Sequence, residues 1–220
     1  MRIIHETLAN ELACVNQVRL FDELYPNGLC VTEANLVEAA NKGLNAWWAW
    51  NLLPSEGPVS RRAYALGCLK PALHLNSTPP VLTCVAALEQ HVAAPSIDTI
   101  KVLSEARAQI TSGGTPSPSA LVATATALAA TITYAGQWDY EINGRLFPAG
   151  YAQAGYATKT VALAQALSKV DPRESEAAAV AWHTVLYQIR LAQLAVLAPL
   201  LAATPQPSPY RCDENTGFSW

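Results

Sequence analysis

The 220-residue sequence predicts an all-α protein, an irregular multi-helix domain of about eight helices. Apolar residues recur at steps of three and four through most of the chain, which is the period of one helix face. Capping hydroxyls stand directly before prolines at Thr78-Pro79-Pro80 and Ser117-Pro118. A helix start needs an acceptor for its orphan N–H groups and tolerates a residue that has none. The runs between breaks are also long: the one opening at Ser117 extends roughly 18 residues, against roughly 5–6 for an ordinary strand.

Taken in order, Leu8, Leu12, Val15, Val18, Phe21 and Leu24 form the first apolar stripe. Their helix should end near Tyr25, because Pro26-Asn27-Gly28 is turn chemistry. Thr32 offers a hydroxyl cap to a second helix, with Glu33 favourably placed against the dipole and Leu36, Val37 and Ala40 facing inward. Gly43 follows as a C′ residue of positive φ, and Asn45 caps a short third helix holding Trp47, Trp48 and Trp50, which Pro54 stops.

This stretch, residues 13–53, resembles a short helical segment recurring in phage proteins and in bacterial proteins of phage-like origin. The residues that carry the resemblance are Ala13-Cys14, Gln17-Val18, Leu20-Phe21, Tyr25-Pro26, Gly28, Val31-Thr32-Glu33, Asn35, Ala39-Ala40, Gly43-Leu44, Trp48-Ala49 and Asn51-Leu52-Leu53. They lie within about a fifth of the chain. Asn45 and Trp50 depart from it, standing where related segments have an acidic and a basic residue. The resemblance brings a phage-related setting and no catalytic residue.

Beyond it, residues 55–60 read as a loop and 61–75 as a helix that Pro71 kinks or ends. The helix opening at Thr78 should reach about Val92. Another begins at Pro95-Ser96, with Ile97, Ile100, Leu103, Ala106 and Ile110 inward and Lys101, Glu105 and Arg107 in water. Residues 111–117, TSGGTPS, interrupt both regular structures and read as a connection within one domain. The Ala- and Thr-rich run from Ser117 should continue to Ala135. Residues 151–170 form an Ala-rich helix with Val161, Leu163 and Leu167. Asp171-Pro172-Arg173-Glu174 reads as the start of a last helix, reaching about Ala203 with Trp182, Val185, Leu186, Ile189, Leu194 and Leu197 as a core spine. Residues 1–204 are thus expected to make a single helical domain with its one internal break near 111–117, and 205–220 a Pro-rich tail.

Composition narrows function. Apolar residues make up 51% and charged residues 14%, against a usual charged share of about 25%, so part of the surface is expected to be covered by a partner. Fourteen Lys and Arg in a chain of net charge −3, with no basic run, argue against nucleic acid, whose phosphates need clustered cations. Charges within MRIIHETLANEL do not suit a signal peptide, which places the protein in the cytoplasm. The apolar run at 191–203 is interrupted by Gln193 and Pro199 and falls short of the ~20 residues of a membrane span; a buried core helix is expected.

Five cysteines at wide spacings, without a Cys-x-x-Cys pair, read as reduced thiols; Cys14, Cys68 and Cys84 lie on helical patterns as small hydrophobes. Cys68, His74, Cys84 and His91 are the one ligand-like grouping, too widely spaced for an ordinary zinc site. No HExxH, GxSxG or phosphate-loop motif occurs. No metal, cofactor or catalytic residue is therefore assigned.

Residues 137–150 form the longest irregular insert and concentrate Trp138, Tyr140, Arg145 and Phe147. The plain reading is a hairpin around Asn143-Gly144 whose aromatics cover the core. If the chain has a binding surface, these residues and the tail aromatics Phe218 and Trp220 are the first candidates for it. The leading reading is a non-enzymatic cytoplasmic protein that binds a protein partner, as an immunity or inhibitor protein or a phage accessory factor does. A virion or other assembly component is the second reading, and an enzyme of unrecognised type the third.

Overall fold

A computed structural model describes residues 1–10, 13–53, 59–111, 117–131, 140–142, 145–147 and 153–204, by backbone alone at 9–10, 140–142 and 145–147. These residues form nine α-helices, two 3-10 segments and two short antiparallel strand pairs, so the all-α expectation holds. The chain divides into two units, residues 1–53 with 197–220 and residues 54–196; neither division falls near 111–117.

The first unit opens with a strand pair that was not legible beforehand, because two residues per strand leave no alternation to read. β1 (Arg2–Ile3) pairs with β2 (Leu29–Cys30), placing Ile3 opposite Leu29. Gly28 makes the turn into β2 at φ +81°, where a Cβ would sit 2.7 Å from the Ile3 carbonyl oxygen. The expected first stripe is split between α1 (His5–Asn10) and α2 (Val15–Leu24). Restarting the helix at Cys14 changes its phase. Leu8 and Phe21 stay buried while Val15 turns 73% exposed. α2 ends at Leu24, with Tyr25 as its C-cap.

α3 (Glu33–Asn41) begins as its sequence requires: Thr32 Oγ1 accepts the Asn35 N–H at 3.1 Å. Its end is a Schellman motif, in which the Gly43 N–H reaches the Ala40 carbonyl and the Leu44 N–H the Ala39 carbonyl, each at 3.0 Å. Gly43 has φ +93°, the left-handed conformation expected of it. Residues Ala46–Leu52 form a 3-10 segment instead of an α-helix, and the Asn45 side chain makes no capping bond there.

In the second unit, α4 (Val59–Leu69) passes at Pro71 into a 3-10 segment, Lys70–Leu75, because proline cannot donate to the α-helical ladder. α5 (Pro79–Ala93) and α7 (Pro118–Ala130) start at the expected prolines. Ser117 Oγ caps α7 by accepting the Ala120 N–H at 3.2 Å, whereas Thr78 Oγ1 donates to Asn76 Oδ1 at 2.8 Å instead. α7 packs on α8 (Gln153–Leu167), and the two helices bury Ala125, Ala129, Ala154, Ala157 and Ala164, small side chains that let helix backbones approach closely. β3 (Tyr140–Ile142) pairs with β4 (Arg145–Phe147), the hairpin expected around Asn143-Gly144.

Three helix expectations need correction. α6 (Ile97–Ala108) buries Thr99, Leu103 and Ala106, while Ile97 is 74% exposed and Ile100 half-buried. A capping box between Ser96 and Thr99 fixes the helix phase and turns Thr99 inward. The last helix, α9 (Glu176–Ala202), does not start at Asp171. Arg173 occupies that carboxylate through Nε and Nη2 at 2.8 and 2.6 Å, and Ser175 Oγ caps the helix by accepting the Ala178 N–H. Nor is all of α9 a core spine. Leu194 and Leu197 are fully buried, but Trp182, Val185, Leu186 and Ile189 are half-buried and Val180 is exposed. Among the described residues, α9 alone is long and apolar enough to cross a membrane. Its middle is committed to polar contacts: Arg190 Nη1 donates to Gln193 Oε1 at 2.7 Å, and Gln193 Nε2 to the Thr158 carbonyl at 2.8 Å.

Candidate functional site

The first unit leaves its core open. A cavity of about 70 Å³ is walled by Ile3 of β1, Leu8 of α1, Phe21 of α2, Leu29 of β2, Leu36 and Ala39 of α3, and Ala46, Trp48 and Ala49 of the 3-10 segment. Leu44 also lines it, so the Schellman turn that ends α3 aims an apolar side chain into the same space. The lining residues exposed to water are Cys14 and Asn45, which marks the mouth. Gln17 spans it: its Oε1 accepts the Asn45 N–H at 2.6 Å and its Nε2 donates to the Gly43 carbonyl.

Size and chemistry limit what this pocket can do. Cofactor and small-molecule sites run to roughly 300–1,000 Å³ with several convergent polar groups, and an engineered apolar cavity that takes benzene measures about 150 Å³. The space fits a group about the size of one aliphatic side chain. Its wall offers no acid, base or ligand set. Cys14, at the mouth, is a free thiol.

Two polar clusters stand out among the described residues of the second unit. Arg62 on α4 donates from Nη1 to His91 Nε2 at 2.5 Å, and His91 Nδ1 meets Thr99 Oγ1 at 2.8 Å. Burial, aided by the Arg62 charge, lowers the His91 pKa from its ordinary value. In the other cluster Tyr64 and Cys68 lie near Arg190; burial pushes the Tyr64 phenol well up, the Cys68 thiol up to about 12, and the Arg190 pKa down. Protonated thiol and phenol are poor nucleophiles, so this cluster has no activated nucleophile.

The ligand-like grouping is not assembled. His91 is committed to Arg62 and Thr99, His74 Nδ1 sits 3.0 Å from the Pro71 carbonyl at the surface, and Cys84 is buried with its thiol pushed up to about 11. Among the described residues no three His, Cys, Asp or Glu come together to hold a metal. The expectation of reduced thiols fails at Cys30, which is disulfide-bonded. Spacing along the sequence cannot reveal such a bond, which depends on three-dimensional approach.

Of the sequence-predicted binding residues, Tyr140, Arg145 and Phe147 lie on the β3–β4 hairpin, with Tyr140 paired to Phe147 and Ile142 to Arg145 in register. Trp138, Phe218 and Trp220 lie outside the described residues. Sequence reasoning missed the pocket, and the signal that could have found it was Gln17, a polar residue between Cys14 and Phe21 on the helix face that lines the pocket. Comparison with family models, with curated proteins and with solved structures returns no match to this chain.

Proposed function

We propose that this protein is non-enzymatic and acts by binding a protein partner, which seats one aliphatic side chain in the pocket of the first unit. The observation that carries this reading is an apolar cavity of side-chain size, open beside Cys14 and Asn45. Interfaces concentrate their energy in a few anchors buried in such pockets. The low charged fraction of the chain, 14%, supports a surface that a partner covers. An immunity or inhibitor protein, or a phage accessory factor, would use it in this way, and the resemblance of residues 13–53 to phage-type segments supports that setting. Cytoplasmic location is part of the proposal and suits the free thiols Cys14, Cys68 and Cys84; the disulfide at Cys30 opposes it, because disulfides persist chiefly in oxidising compartments.

The aromatic insert is a second proposed contact. Trp138, Tyr140, Arg145 and Phe147, with Phe218 and Trp220 of the tail, are of the residue types enriched at hot spots. One set of measurements addresses both surfaces. Partner captured from the native host is titrated against the wild type and against Ala13→Leu, which narrows the pocket from its half-buried rim, and against Trp138→Ala and Arg145→Ala. The pocket reading expects Ala13→Leu to weaken binding at least tenfold with melting nearly unchanged. The insert reading expects roughly 2 kcal/mol or more of lost affinity from Trp138→Ala or Arg145→Ala. Unaltered affinity in Ala13→Leu would remove the pocket from the interface, and a large loss of stability with intact binding would make the insert a cover for the core.

A further inference from the structure

His91 is fully buried in the second unit, and its two ring nitrogens face partners of opposite demand. Guanidinium has only donors, so the Arg62 Nη1 contact at 2.5 Å requires Nε2 to be the acceptor. The proton of the neutral ring is then on Nδ1, which donates to Thr99 Oγ1 at 2.8 Å. Thr99 Oγ1 also accepts the Ser96 N–H at 3.0 Å and has its own proton for the Ser96 carbonyl at 3.0 Å, so its capacity is used. One imidazole thereby ties α4 to the capping box of α6 across α5.

We propose that His91 is a proton-sensitive pin, joining α4 to α5 only while its ring is neutral, so that mild acidification loosens this helix joint in the second unit. A second ring proton would set Nε2–H against the Arg62 N–H and place two cations together in the core, while leaving the bond to Thr99 in place. Burial and the Arg62 charge are what act on the ring, and among the described residues no carboxylate bonds to it. On α4, Arg61 is also cationic and buried, and Tyr64 and Cys68 stay protonated. On α5, Glu89 is turned to Lys70 at 2.7 Å and Cys84 stays protonated. The charged residues of α6, Asp98, Lys101, Glu105 and Arg107, are exposed to water, and α7 has no titratable side chain.

The sign follows from linkage. The folded ring binds its proton below the ordinary value of 6.5, so the unfolded chain is the better proton acceptor. The stability is fully present above that value and is lost as pH falls from it through the folded pKa. The test is thermal melting from pH 7.5 to 4.5 for the wild type and for His91→Gln, whose amide supplies one acceptor and one donor without titrating. Wild-type melting should fall more steeply below pH 6.5, with about one more proton taken up on unfolding than in the variant. Amide exchange in α4 should also rise on acidification in the wild type more than in the variant. Coincident pH profiles would overturn the proposal. Should the variant fail to fold, ring nitrogen shifts of the wild type decide: a bare Nε2 at pH 7 with a midpoint under 6.5 supports the pin, and a doubly protonated ring at pH 7 or a midpoint at or above 6.5 sinks it.

Discussion

Gln17 on α2 accepts the backbone N–H of Asn45 at 2.6 Å across 28 residues of chain, tying the wall of the pocket to the segment that follows α3. The bond lies at an exposed position, so water can replace the lost acceptor. Gln17→Ala should then cost about 1 kcal/mol, the usual net value of such a bond. The pocket mouth should also loosen, which faster amide exchange at Asn45 would report. Unchanged exchange there would mean that the Schellman turn alone holds this segment.

Gly43 and Gly28 both have positive φ, but for different reasons, and substitution separates them. Around Gly43 a Cβ meets no more than ordinary van der Waals contact, with Leu20 Cδ2 at 3.8 Å. The cost there is conformational only, so Gly43→Asn should be tolerated and Gly43→Val should lose more than ~1 kcal/mol. At Gly28 a Cβ would lie 2.7 Å from the Ile3 carbonyl and 2.9 Å from Ile4 Cγ2. Gly28→Asn should therefore destabilise clearly more than Gly43→Asn in chemical denaturation; equal effects would show that β1 yields.

In the second unit, Gly67 of α4 faces Val196 of α9, and a Cβ at Gly67 would collide with Val196 Cγ1. Gly67→Ala gains at most ~1 kcal/mol of helix propensity and loses about 1–3 kcal/mol to overpacking. It should be a net destabilisation that Val196→Ala relieves. Melting the two single variants and the double variant gives the coupling directly, and simple additivity would contradict the close approach.

What could be read from the sequence was whatever one turn of backbone decides. Thr32, Ser117 and Gly43 act through bonds to residues at most five positions away, so type and spacing were enough. The misreadings share a different cause. Asp171 does accept a backbone N–H, that of Arg173 at 2.9 Å, and the Arg173 bonds hold its pKa down at about 2, but it closes a single turn and the helix starts from Ser175. Ile97 lies outward and Thr99 inward because Thr99 serves both the capping box and His91 on another helix. The pocket depends on two strands, three helices and a 3-10 segment meeting, an arrangement that no local period encodes.

Cysteine reactivity should follow burial and bonding rather than sequence context. Cys14 is an exposed free thiol, whereas Cys68 and Cys84 are buried and have thiols pushed up to about 12 and about 11. At pH 8 those pKa values leave roughly one thiolate in ten thousand and one in a thousand, and the thiolate is the reactive form. Alkylation of the native protein, followed by peptide mass spectrometry, should mark Cys14 within minutes and leave Cys68 and Cys84 unmarked until denaturant is added. Cys30, being disulfide-bonded, should stay unmarked even in denaturant until a reductant is present. Alkylation of Cys30 in protein isolated from the native host without reductant would mean that its bond does not form there, which favours a reducing cytoplasm. Protection of Cys30 under the same conditions would instead place the protein where disulfides persist.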